Sequence, residues 1–381
     1  MRILLISPGI DKRFSDIYHV YRHIAEQGHP VAVVSVRRDR LKTGGAEYSP
    51  VYERDGNLSI HRIFEDSRAM RHTVSLLRKL PEIKNIIYEF KPEIILSDTP
   101  FTTNLIWLGL FKALRIPLVT RVEFFHAKHR SPGFAPGQRH LERIVGGERI
   151  YNALCLLHWK LVCRHSAAII SCHHDDRGRH IQKVHTYYIP WPSEVPPGIP
   201  IMTEWTRKAK RTVFIGALDE HKRIESFSQT IPLIFAHTPI EEFWVVGSGR
   251  YYPVIQALEA QYPGRILHRP FLERDQCLAL ISESLFGYSP AKWGSWGFIG
   301  DCWAVGTPVI VTSNHYNFND NIDAIVAADD TIVPRLNAVI QQADTYRHIA
   351  ENGRKRFLDD HSARGISAKF IEVCRSVLQP A

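Results

Sequence analysis

Short apolar runs alternate with helical patterns from one end of this chain to the other, and few folds tolerate that order. Arg2–Ser7 reads as a strand, Asp16–Gln27 as a helix closed by Gly28, and Pro30–Val36 as a second strand. Further strands are expected at Glu93–Ser97, Pro117–Val122 and Ala167–Ser171, with helical patterns around Met70–Phe90, Thr103–Leu114 and Glu142–Cys163. Parallel strands need long crossovers, and helices of this length supply them. The expected class is therefore α/β, with a doubly wound parallel sheet. Pro190–Pro200 interrupts the alternation with five prolines, and a second alternating series begins at Arg211. A chain of 381 residues accommodates two such domains. The expected division is a Rossmann-like domain over 1–189, a linker over 190–210, a second Rossmann-like domain over 211–351, and a C-terminal helix over 352–381.

Composition narrows the class. The longest apolar runs, such as Leu105–Phe111, are too short to span a bilayer. Met1–Gly9 reads as a strand and turn rather than a signal peptide. The six cysteines (155, 163, 172, 277, 302, 374) contain no C-x-x-C pair, which points to reduced thiols in a cytoplasmic protein. Charge is divided unevenly. Residues 1–200 hold 29 Lys and Arg against 19 Asp and Glu, a net of +10; residues 201–381 hold 19 against 20, a net of −1, for the total of +9. The densest basic stretches are Arg37–Lys42 and Arg68–Lys84. Such a surface suits an anionic membrane, and the apolar residues of Tyr151–Arg164 are either a contact of that kind or helix core. Nucleic acid could use the same charge, but no recognition motif accompanies it, so it is not expected as a partner.

The stretch from Gly294 to Val309 (GSWGFIGDCWAVGTPV) carries the chemistry. A loop with Gly294, Gly297 and Gly300 runs into a short helical segment that Gly306-Thr-Pro ends before a buried strand. Backbone N–H groups and the positive end of a helix dipole then meet at one spot, which suits a pyrophosphate. Asp301 is placed to accept hydrogen bonds from a ribose diol. On these residues alone the segment is a nucleotide site and no more.

The segment resembles the pattern E-G-F-G-x-x-x-x-E-A-x-A-x-G-T-P-V of the retaining family-4 glycosyltransferases (glycosyl transferases group 1) of the GT-B fold. Asp301 falls on the second acid of that E-x7-E motif and Gly306-Thr-Pro-Val is intact, while Trp293 stands where the first acid would be. Thr212–Arg223 resembles the family's F-V-G-R-L-x-x-x-K-G: Lys222 matches the lysine that holds the diphosphate, and Ala217 replaces the arginine. Phe243–Gly249 is similar to the next strand and glycine turn, and His268-Arg-Pro-Phe-Leu to the strand and loop that contact the base.

The resemblance implies two Rossmann-like domains facing across a cleft, and transfer of a sugar from a nucleotide-diphosphate donor, a UDP- or GDP-sugar, to a glycan or lipid-linked acceptor in surface polysaccharide or glycolipid synthesis. No other cofactor and no metal is implied. Donor contacts are expected from Gly216, Lys222, Arg269, Phe271, Lys292, Ser295, Trp296, Gly297, Phe298, Ile299 and Asp301. Lys222 stabilises the leaving diphosphate. Glu123 and His126, at the end of the strand Pro117–Val122, could meet sugar or acceptor; an ion pair or loop cap is the equal alternative. Gly9, Asp11, Arg13, Asp16 and Asp98 fall on the acceptor side. The two departures keep other readings open: an inverting enzyme with Glu123, Asp98 or Asp16 as base, a nucleotide-sugar epimerase, or a non-catalytic nucleotide-binding relative. Ser171-Cys-His-His-Asp-Asp176 is read as a polar loop rather than a metal cluster, and Gly247-Ser-Gly249 lacks the third glycine of a dinucleotide fingerprint.

Overall fold

Among the described residues, eight strands form a sheet in the order β3-β4-β2-β1-β5-β6-β7-β8. They are β1 (Ile3–Ile6), β2 (Val31–Arg38), β3 (Tyr52–Asp55), β4 (Leu58–Asp66), β5 (Ile94–Asp98), β6 (Leu118–Val122), β7 (Ala168–Ser171) and β8 (His185–Tyr188). The computed structural model describes residues 1–7, 10, 16–38, 49–66, 69–70, 72–98, 105–122, 164–172, 184–291, 295–313 and 317–379. Every pairing is parallel except β3 with β4, a hairpin turned at Gly56 with φ +57. The inner strands are apolar almost throughout (ILLI in β1, VAVVSV in β2) because helices cover both faces. Helix α1 (Asp16–Glu26) packs on one face, and α2 (Thr73–Phe90) and α3 (Leu105–Leu114) on the other.

The second sheet runs β11-β10-β9-β12-β13-β14 and is parallel throughout. Its strands are β9 (Ala209–Ile215), β10 (Glu242–Val246), β11 (Ile266–Arg269), β12 (Ser284–Ser289), β13 (Val309–Val311) and β14 (Ile325–Val326). Between them lie α4 (Phe227–His237), α5 (Tyr252–Gln261), α6 (Arg274–Glu283) and α7 (Trp296–Ala304), followed by α8 (Ile332–Ile340) and α9 (Ala343–Arg356).

The chain divides into two units, Met1–Pro190 with Ala363–Ala381, and Trp191–Ser362. The proline-rich segment is therefore part of the second unit: Met202 N–H donates to Val305 O at 3.1 Å and Ser282 Oγ to Pro200 O at 2.6 Å. Ala363–Ala381 belongs to the first unit. Helix α9 ends at Arg356, a π turn occupies Phe357–His361, and only α10 (Ala363–Leu378) lies on α1, with Phe370 edge-on to Tyr21 at 5.9 Å. The helical pattern at Glu142–Cys163 and the cluster at His173–Asp176 lie outside the described residues. Among the described residues, no helix is long and apolar enough to cross a membrane.

Candidate functional site

In the second sheet the connections reverse between β9 and β12, so the carboxyl ends of these strands form the switch point where doubly wound sheets bind ligands. The loops there are laced by backbone hydrogen bonds. Gly216 N–H donates to Val246 O at 2.9 Å, Leu218 N–H to Ser248 O at 3.0 Å, and Gly247 N–H to Arg269 O at 2.9 Å. This approach requires two glycines. At Gly247 (φ +145) an added Cβ would lie 1.9 Å from Gly216 O, and at Gly249 (φ +157) 2.5 Å from Leu218 O. The Gly247-Ser-Gly249 turn thus serves loop packing.

Lys222 ends the short turn Glu220–Lys222 that follows β9, and left-handed backbone at Arg223 (φ 53) closes it. The lysine is buried, with Nζ donating to Ser295 Oγ at 3.0 Å. Burial pushes its ammonium down from an ordinary 10.5 to about 8, and the charge of Asp219 offsets part of that effect. Ser295 is the N-cap residue of α7, but its hydroxyl makes no cap bond to the helix. The first-turn N–H groups of α7 have no acceptor inside the helix. A Cβ on Gly297 would meet nothing within 4 Å, so the backbone is approachable at that point. A buried ammonium thus lies beside a helix N-terminus that has no side-chain cap among the described residues, an arrangement whose chemistry suits an anion.

The other residues of the glycine-rich segment act differently from expectation. Trp296 lies tilted against His361 at 4.6 Å and 5.9 Å from Phe318; Phe298 lies 6.1 Å from Phe214; Ile299 is 1% exposed. These three side chains are core. Asp301 is buried, and both its oxygens are engaged. Arg274 holds it with two bonds of 2.5 and 2.7 Å, and Ser193 Oγ donates at 2.6 Å. This carboxylate anchors α7 to α6 and to the proline-rich segment, and it is left out of the donor set proposed below.

Arg269 ends β11 and is exposed, 5.8 Å from the Trp244 ring; Phe271, two residues on, is 57% exposed. Both sit on the same carboxyl edge as Gly216, where an added Cβ would be 3.9 Å from Lys222 Cε. Arg223 donates to Thr312 Oγ1 at 3.1 Å and to Asp329 Oδ2 at 2.5 Å, while Thr312 Oγ1 donates to Pro290 O at 2.9 Å. This chain of bonds ties the turn after β9 to Thr312 and Pro290. In the first unit, Asp98 is buried at the end of β5, accepting from Arg121 Nε at 2.6 Å and from Ser7 Oγ. Its bonds tie together three neighbouring strands and engage both oxygens. Gly9, Asp11, Arg13, Glu123, His126, Lys292 and the side chain of Asp16 lie outside the described residues. Among the described residues, no three His, Cys, Asp or Glu side chains gather as they would to hold a metal ion.

Solved structures share this fold over nearly the whole chain. The sucrose-phosphate synthase of Thermosynechococcus elongatus superposes with a TM-score of 0.73 at 14% identity, covering 99% of each chain. Anabaena HepE, solved in complex with UDP, gives 0.67 at 13% identity over 99% of this chain and 100% of its own. Trehalose-6-phosphate synthase OtsA gives 0.66 at 10% identity over 98% and 99%. The fold is GT-B. No family model and no curated protein matches the sequence.

Arg274 and Ser193 carried no motif in the sequence, since their importance comes from Asp301, which each reaches across a long chain separation. Lys222 and Ser295, both named from the sequence, are brought together by a hydrogen bond of 3.0 Å.

Proposed function

We propose that the protein transfers a sugar from a nucleotide-diphosphate donor to a glycan or lipid-linked acceptor. The observation that carries this reading is the Lys222 ammonium, buried against Ser295 at the uncapped start of α7. Burying an amine costs stability, and an arriving diphosphate adds its negative charge to that of Asp219 beside the ammonium. As the anomeric C–O bond breaks, negative charge grows on the leaving phosphate, where Lys222 and the amides around Gly297 stabilise it. In the retaining, metal-independent course the incoming hydroxyl gives its proton to that phosphate, and the new C–O bond forms on the face the phosphate leaves. Arg269 adds charge, and Phe271 offers an exposed ring to the base. HepE was solved with UDP and with UDP-glucose, which supports a UDP-sugar over GDP. The basic first 200 residues support a cytoplasmic enzyme of surface polysaccharide or glycolipid synthesis that meets an anionic membrane peripherally.

A thermal-shift screen with UDP, GDP, TDP and ADP tests the donor site, run on the wild type and on Lys222→Met. One diphosphate should raise the melting temperature of the wild type and leave the variant unchanged. If none of the four does, the site assignment fails. The anomeric configuration of a product made in the presence of EDTA then tests retention and metal independence.

A further inference from the structure

Helix α2 has two apolar faces. Leu76, Ile83, Ile86 and Ile87 are buried against the sheet, as a surface helix requires. On the opposite side Val74, Leu77, Pro81 and Tyr88 recur at intervals of three, four and seven residues, which places them in one stripe. All four are exposed, Val74 at 49%, Leu77 at 50% and Tyr88 at 80%. Three of the ten large exposed hydrophobics among the described residues are therefore on this helix, and two more, Val51 and Tyr52, are at or beside β3. Scattered exposed apolar residues need no explanation, but half of them gathered within 38 residues do.

Charges of both signs border the stripe, the exposed Glu82 and Glu89 lying on the same side as Arg78. Arg78 flanks it on one side and Lys84 on the other, both exposed. Beyond Arg78 a groove of about 560 Å³ runs between α2 and the sheet edge, with Arg37, His61, Arg78 and Lys79 in its walls and Val51 at its rim. Glu65 and Glu82 also line it, and Lys79 bonds Glu82 at 2.9 Å. Arg37 comes from one of the two densest basic stretches of the sequence, and Arg78 and Lys79 from the other. The fold therefore brings these stretches, 41 residues apart at Arg37 and Arg78, to one surface.

We propose that the outward face of α2, with the basic groove beside it, is the docking surface for an anionic lipid bilayer. This specifies the membrane contact in the functional reading above, rests on that contact, and owes nothing to the donor site. Apolar side chains between flanking cations match the boundary between acyl chains and anionic headgroups. A second copy is a poor occupant, because two surfaces from a region of net charge +10 would meet with like charges opposed.

Co-sedimentation of the full chain with vesicles tests the inference, using phosphatidylcholine alone and phosphatidylcholine with about one third phosphatidylglycerol at low salt. The protein should bind only the anionic vesicles. Each cation removed should weaken binding on the order of fivefold, so the Arg78→Gln/Lys84→Gln variant should lose roughly 25-fold. Leu77→Ser/Tyr88→Ser should weaken it further. All four positions are exposed, so these variants should keep the wild-type melting temperature and its diphosphate-induced shift, which separates this result from any failure of the donor site. Equal binding of anionic vesicles by wild type and both variants would overturn the surface. No binding to anionic vesicles would overturn the membrane contact itself. A concentration-dependent dimer in sedimentation velocity that Leu77→Ser abolishes would assign the face to a second copy instead.

Discussion

Replacing Lys222 with methionine perturbs one charge and little volume, and the structure sets the size of the effect. The ammonium titrates at about 8 in the fold against an ordinary 10.5. A difference of that size corresponds to about 3 kcal/mol of strain on the charged form at neutral pH. Loss of the bond from Nζ to Ser295 Oγ returns about 1 kcal/mol, leaving a net gain of about 2 kcal/mol for the variant. For a unit the size of Trp191–Ser362 that is a rise of roughly 4–8 °C in melting temperature. The pH dependence has a definite sign. Between about 8 and 10.5 the unfolded chain holds the lysine proton while the folded chain has released it, so wild-type stability rises with pH across that window. The cost is fully present below pH 8 and gone above 10.5, and the advantage of Lys222→Met should therefore be largest at pH 7 and shrink by pH 10. Differential scanning calorimetry at these two pH values, with and without a nucleoside diphosphate, measures all of it. A variant less stable than wild type at pH 7, or one that keeps the diphosphate-induced shift, would refute the reasoning.

The same titration should appear in binding. If the diphosphate requires the ammonium form, calorimetric affinity for UDP should fall roughly tenfold from pH 7 to pH 9, and that slope should vanish in Lys222→Met. Gly247→Ala would force a Cβ to within 1.9 Å of Gly216 O, and should cost more than about 3 kcal/mol by thermal melting. Gly264→Ala, with positive φ but open space, should cost about 1 kcal/mol and serves as the control. Arg274→Ala leaves the Asp301 carboxylate buried without its cation and should destabilise by about 2–4 kcal/mol, while adding Asp301→Ala should recover part of that loss.

Much of the fold was legible because its signals are local. The strand at Ile3–Ile6, the helix from Asp16 and its left-handed stop at Gly28, and the parallel series after Arg211 all follow from periodicity and turn residues within a few positions of each other. The hairpin joining β3 to β4 was equally available from Gly56-Asn57, a turn pair, but β3 is a mostly exposed strand of four residues with a weak apolar pattern. The break at Phe357–His361 was harder to see. No proline or glycine marks it, and the helix bends where His361 binds Trp191 O and lies tilted against Trp296.

For the site, the amino-acid order alone determined that a loop cation follows one strand and that a glycine-rich helix start follows another. Those are properties of neighbouring residues, and they survive whatever partners the fold provides. Only the tertiary structure decided which groups meet. Lys222 and Ser295 are 73 residues apart, Asp301 and Arg274 27, and Asp301 and Ser193 108. A carboxylate in a motif can hold a ribose or an arginine, and an aromatic ring in a loop can face a ligand or the core. The choice depends on burial and on partners brought from distant segments, which chain order does not encode at short range.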